Sequence, residues 1–174
     1  YYRGEIDLKN PIYKIDNLKM KKGNNLILDI KKLEIHRGSC YVFYGDVGSG
    51  KTTLLNFLAK NSQNKNDVIY YESKDINKIS KIEYLKDTYF VPQEIKSPWF
   101  GITVNDYLLK KLKSYKNLSN PDRKASDIIR KMNLKKYLTR NLKELSPGEK
   151  RWIELALAIA ADTKVLFVDG FGQY

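Results

Sequence analysis

The stretch that most constrains this chain is Gly45-Asp46-Val47-Gly48-Ser49-Gly50-Lys51-Thr52, which satisfies G-x-x-x-x-G-K-[ST] at every fixed position. The apolar run SCYVFY (39–44) precedes it, and KTTLLNFLAK follows with Leu54, Leu55 and Leu58 at helical spacing. A buried central strand, a glycine-rich turn and a helix are therefore predicted in succession. Glycines let the backbone curl so that successive N–H groups point at one phosphate, and the helix N-terminus adds a favourable dipole. Lys51 is placed to reach β- and γ-phosphates, and Thr52 to set its hydroxyl on Mg²⁺. A glycine turn that merely opens a helix requires neither the lysine nor the threonine. Gly45, Gly48, Ser49, Gly50, Lys51, Thr52 and Thr53 are accordingly the expected nucleotide contacts.

The rest of the chain supplies a setting for this loop. IYKIDNL (12–18) and NLILDIKKLEI (25–35) alternate apolar and polar residues and predict antiparallel strands with one buried face. NSQNKND (61–67) reads as a polar loop, and VIYY (68–71) and TYFVPQ (88–93) as short strands, the latter closed by Pro92. Thr103 with Asp106 caps a helix over about 104–113; Asn120, Pro121 and Asp122 start another. Ser146-Pro147-Gly148-Glu149 is a capping box with Pro at the first helical position, opening an apolar helix over roughly 147–161. VLFV (165–168) is the last strand and runs into Asp169. Strands alternating with helices imply an α/β fold with a partly parallel sheet. The division expected is a core with β subdomain over 1–93 and 147–174, and a small helical insert over 94–146.

Asp169 admits two readings: a turn acid after a strand, or an acid at the carboxyl end of a sheet strand, where ligands of open α/β sheets gather. A P-loop upstream favours the second, with Asp169 supporting Mg²⁺. The helix start at Ser146 and Gly148 is fully explained as a cap, yet it is also a ready anion site.

Composition narrows the classes. No apolar run approaches the ~18 residues of a membrane span. The polar opening YYRGEIDLKN has no signal-peptide pattern and no initial Met, as expected of a fragment. The net charge of +12 raises nucleic acid as a partner, but the basic residues are mostly Lys, spread along the chain and denser only in KKLKSYK (110–116), so nucleic acid is not the expected partner. A single cysteine, Cys40, excludes an internal disulfide and reads as a buried structural thiol.

Taken together, the chain resembles the nucleotide-binding domain of ABC (ATP-binding cassette) proteins, from about residue 12 to its end. GDVGSGKTT looks like the Walker A motif, Gln93 in VPQE like the Q-loop glutamine, LSPGEK like the signature LSGGQ, and KVLFVD like Walker B. The resemblance implies a P-loop NTPase core, a parallel sheet plus an antiparallel N-terminal β subdomain. It implies ATP and Mg as cofactors, with Thr52, Gln93 and Asp169 on the metal side and Ser146 and Gly148 touching the γ-phosphate across a dimer. The implied partners are a second nucleotide-binding domain and a membrane-embedded transporter subunit, with the chain cytoplasmic and peripheral on the inner face of a membrane. Trp99 and Phe100 read equally as contacts to that subunit or as core residues.

The sequence also departs from the family. Gly170 stands where a glutamate polarises the attacking water, and Phe171 where proline is usual. Pro147 replaces a signature glycine and removes one N–H. The adenine-stacking aromatic is expected near Lys22, with Tyr13 too early. The D-loop and switch histidine are not in this sequence; the lone His36 precedes Walker A and is expected in a turn before Gly38. Transport driven by ATP hydrolysis is the leading expectation, so the chain reads as an ABC-type ATPase. Gly170 keeps open a regulatory module with weak or no ATPase activity. A nucleic-acid-associated ABC ATPase is a third reading; the interval from Gln93 to Ser146 is too short for the coiled coil of the repair type, and the translational type carries two cassettes. A small-molecule kinase is the last, and the signature argues against it.

Overall fold

Alternating apolar residues at 13 and 15 and at 33 and 35 do form one face of an antiparallel pair. A computed structural model describes residues 7–22, 24–62, 68–96, 101–115 and 118–170. The chain divides into two units, Tyr1–Lys81 and Ile82–Tyr174.

In the first unit, β1 (Asp7–Lys22) pairs antiparallel with β2 (Asn25–Arg37), Ile15 opposite Leu33 and Leu18 opposite Ile30. On its other side β1 takes β3 (Ile69–Tyr71), which pairs with β4 (Lys74–Asp75), so the sheet order is β2-β1-β3-β4. Tyr13 and Ile15 are fully buried; Asn17 then adopts φ 53, and beyond it Leu18 is the buried residue, so the strand changes parity at a left-handed position that Asn tolerates. Tyr13 lies opposite Tyr71, their rings 5.1 Å apart, so it is a core residue and no adenine platform. Helix α1 (Lys51–Leu58) buries Leu54, Phe57 and Leu58.

Three expectations fail here. Residues 39–46 form no strand, and Cys40 is exposed, as are Val42 at 75% and Tyr44 at 94%. A strand needs a ladder partner for its peptide groups. Gly38, at φ 73, turns the chain at the end of β2, and neither sheet includes 39–46 among the described residues. His36 is not in a turn: it lies within β2, opposite Pro11.

The second unit opens with most of α2 (Lys81–Asp87), which leads into β5 (Thr88–Val91). β5 pairs in parallel with β6 (Val165–Val168), Thr88 opposite Val165 and Val91 opposite Val168. Between them come α3 (Val104–Ser114), α4 (Pro121–Lys131) and α5 (Pro147–Ala161). Each helix starts as its sequence predicts: Thr103, Asn120 and Ser146 accept from the amides of Asp106, Arg123 and Glu149. Their apolar faces close on Val91, Leu108, Leu112, Ile128, Leu134, Ile153 and Leu157 in one core. Parallel strands require such a long crossover. The short elements β4 and α2 carry no clear period and are not predicted by the sequence.

Candidate functional site: the phosphate loop and the signature helix

The sequence-expected residues fall on both units. Gly45, Gly48, Ser49, Gly50, Lys51, Thr52 and Thr53 belong to the first; Gln93, Ser146, Gly148, Asp169 and Gly170 belong to the second.

In the loop, Gly48 and Gly50 adopt φ 87 and 86, values that L side chains rarely take, and these turns wind the chain into the start of α1. Gly50 is also needed for space: a Cβ there would stand 2.7 Å from Leu28 Cδ2 and 2.9 Å from Ile27 Cγ2. It is the N-cap of α1, and no side chain caps that end. Ser49 N–H donates to Asp46 O at 3.1 Å, closing the turn. Lys51 folds back over the loop, Nζ donating to Gly45 O and Asp46 O, both at 2.7 Å, and to Ser49 Oγ at 3.1 Å. An ammonium held by neutral carbonyls above an uncapped helix start suits an anion. Phosphate oxygens would replace those carbonyls with stronger, charge-assisted bonds. Thr52 is exposed, next to Lys51, and Thr53 is half-buried.

In the second unit, Ser146 and Glu149 form the reciprocal capping box: Glu149 N–H donates to Ser146 Oγ at 3.2 Å, and Ser146 N–H to Glu149 Oε2 at 2.8 Å. The Ser146 amide holds the Glu149 carboxyl below its usual range, and Arg140, 3.0 Å away, adds to this. Ser146, Pro147 and Gly148 are exposed. The Ser146 oxygen is used as an acceptor, which leaves its O–H to donate.

Asp169 directly follows β6 and is 94% buried, its N–H donating to Val91 O at 2.9 Å. Beyond that bond stands Arg151, buried on α5. Its Nη1 donates to Pro92 O at 3.2 Å and Gln93 O at 3.3 Å, its Nη2 to Asp169 O at 2.6 Å. Gly170 has φ 69, and a Cβ there would stand 2.8 Å from Gln93 Cγ. Gln93, Arg151, Asp169 and Gly170 therefore form one cluster. The Lys22 side chain, Trp99, Phe100 and Phe171 lie outside the described residues.

Sequence reasoning missed Arg151 and a second buried charge. Glu154, 3% exposed, accepts hydrogen bonds from Tyr89 Oη at 2.8 Å and from Tyr107 Oη. The signal was present: Arg151, Glu154 and Leu157 recur every third residue, so they share the face of α5 that packs inward. Charges on such a face are buried only with partners.

Against known proteins, residues 28–170 match the ABC transporter family. An uncharacterized ABC transporter ATP-binding protein of Methanocaldococcus jannaschii is 30% identical over 161 residues, covering 90% of this chain and 55% of that protein. The spermidine/putrescine import ATP-binding protein PotA of Borrelia garinii subsp. bavariensis is 30% identical over 165 residues, covering 94% of this chain and 45% of its own length. The chain thus spans about half of these relatives. Among solved structures, cbiO1 of Clostridium perfringens, part of the transporter complex cbiONQ, superposes with a TM-score of 0.71 at 18% identity, over 92% of this chain and 65% of that one. An ATP-binding subunit of an ABC transporter gives 0.78 at 14% identity, over 90% of this chain and 65% of that one. These last two share the fold: an α/β P-loop NTPase with an antiparallel β subdomain, a parallel sheet and helices. The ordered motifs, the matched span and the relatives' common type agree, and the chain belongs to the ABC transporter family.

Proposed function

We propose that this chain is the ATP-binding part of an ABC transporter, using ATP–Mg²⁺ to drive a membrane-embedded partner. The observation that carries the reading is the phosphate loop, where Gly48 and Gly50 wind the backbone and Lys51 waits on replaceable carbonyls. In this reading Gly45, Gly48, Ser49, Gly50, Lys51 and Thr53 hold the phosphates. Thr52, Gln93 and Asp169 hold the Mg²⁺. Among the described residues no three or more His, Cys, Asp or Glu converge; in this reading the cation would be held by a hydroxyl, an amide, one acid and phosphate oxygens rather than a protein cage. Bound metal supplies charge neutralisation at the phosphates; the protein's part is to orient them and exclude water.

Ser146 and the Gly148 backbone would meet the γ-phosphate of a second nucleotide-binding domain paired head to tail. The functional division is a core with β subdomain over 1–93 and 147–174 and a helical insert over 94–146 that carries the signature. The reading places the chain in the cytoplasm, peripheral on the inner face of a membrane beside a membrane-embedded subunit; among the described residues no helix is long and apolar enough to cross a membrane. The test is nucleotide binding by the full natural chain. ATP should bind, more tightly with Mg²⁺, and Lys51→Ala should weaken it at least tenfold. Equal affinity in the variant refutes the reading.

Gly170 favours a second reading, a nucleotide-binding regulatory module with little turnover. Removing a general base costs about 10²–10⁴-fold in rate. Phosphate release at ordinary ABC rates from the unmodified chain rules that module out.

A further inference from the structure

We propose that Arg151 is a positioning residue for the magnesium side of the site: its guanidinium fixes the backbone from which Gln93 and Asp169 project. The inference rests on the ATP-site reading above and adds a residue to it. β5 and β6 are held by a parallel ladder whose bond at this end is Asp169 N–H to Val91 O, 2.9 Å. The residue after β5 is Pro92, which has no N–H to give. At that point Arg151 reaches in from α5. One nitrogen takes the carbonyls of Pro92 and Gln93 and the other that of Asp169, the last at 2.6 Å.

The fork geometry matters. A guanidinium presents donors in a fixed plane, so binding both segments fixes the spacing between them. A lysine, a point charge on a flexible stem, cannot fix both. Burial adds weight, since Arg151 is only 8% exposed and its donors face these carbonyls. The Gln93 side chain also occupies the space a Gly170 Cβ would need, its Cγ 2.8 Å from that position, so a shift of the Gln93 backbone moves the side chain next to Asp169's neighbour. Partners that orient a metal ligand typically change metal affinity about 10–100-fold when removed.

The experiment measures binding of a fluorescent non-hydrolysable ATP analogue to the full natural chain, with Mg²⁺ and with EDTA, for the unmodified protein, Arg151→Lys and Arg151→Met. Urea midpoints accompany each. The unmodified protein should gain affinity with Mg²⁺. Arg151→Lys, which keeps the charge and most of the stem, should keep its EDTA affinity while its Mg²⁺ half-saturation rises about tenfold or more; Arg151→Met should show the same split, larger. A merely structural role would lower both affinities together, and that outcome overturns the proposal. So does an unchanged Mg²⁺ requirement in Arg151→Lys. If the unmodified protein binds no nucleotide, the ATP-site reading falls first, on its own result.

Discussion

Tyr107→Phe should destabilise the protein by about 1.5–3 kcal/mol, the range for a hydrogen bond to a charged group. Glu154 lies on α5 with 3% of its surface exposed and accepts from Tyr89 and Tyr107. These three side chains tie α5 to β5 and to α3, so the bonds also hold the helix whose first turn is the signature. Glu154→Leu alone leaves two buried hydroxyls without their acceptor, at about 1–3 kcal/mol each. Changing all three together, to Leu, Phe and Phe, should recover most of that loss, because an apolar set of similar volume avoids burying a charge. Urea unfolding followed by circular dichroism at neutral pH measures each value. A second signature lies in alkali. Burial first, and then the charge of Glu154, raise the Tyr89 and Tyr107 hydroxyls far above the usual tyrosine value, and Tyr115 is pushed up to about 12 for the same reasons. Unfolded tyrosines ionise near pH 10. Above that pH the unfolded chain releases protons that the folded chain keeps. This contribution is therefore complete below pH 10 and is lost as pH rises, by about 1.4 kcal/mol per pH unit for each buried tyrosine. Tyr107→Phe should flatten the decline by that amount. A Tyr107→Phe variant within about 0.5 kcal/mol of the parent, with the same alkaline slope, refutes the reasoning.

Three further outcomes follow from the site. Gly50→Ala places a methyl 2.7 Å from Leu28 Cδ2 at φ 86, so thermal unfolding should report a loss of at least about 1–2 kcal/mol and nucleotide binding should weaken with it. Ser146→Ala removes the acceptor for Glu149 N–H and should cost about 1 kcal/mol in the same assay, while Ser146→Asp keeps most of it. Gly170→Glu supplies the family's carboxylate, but at φ 69 and with Gln93 Cγ in its way. It should lose about 1 kcal/mol or more, and phosphate release should stay well short of ordinary turnover.

Much of this was legible because the signals were local. Caps at Thr103, Asn120 and Ser146, the period of Leu54 and Leu58, and the alternation around Ile15 and Leu33 each depend on a few neighbours in sequence, and each appears in the structure. Residues 39–44 show the limit. Their apolarity says that they suit a sheet interior, but a strand also needs a ladder, and Val42 and Tyr44 are exposed without one. Arg151 shows another. Its partners, Pro92, Gln93 and Asp169, are distant in sequence and are backbone carbonyls, which no residue type announces. The spacing of Arg151 with Glu154 marked an inward face; only the fold named what each charge meets.

Two departures from the family pattern, Pro147 and Gly170, fall on positions that the ATP-site reading assigns to the chemical step. Pro147 takes the first helical position, where its missing N–H has no intrahelical partner, and the capping box around it is intact. Gly170 closes its turn at φ 69 with Asp169 still at the end of β6. Neither change weakens the fold. On the ATP-site reading, what each would remove is a group directed at the reacting phosphate: one donor at the signature, one carboxylate beside the attacking water. The groups proposed to grip the ground state, Lys51, Thr52 and the glycine turns, are all present. Only interactions stronger in the transition state than in the ground state accelerate the chemical step. On the regulatory reading that Gly170 favours, the full natural chain should therefore bind ATP tightly and release phosphate slowly, and phosphate release at ordinary rates refutes it.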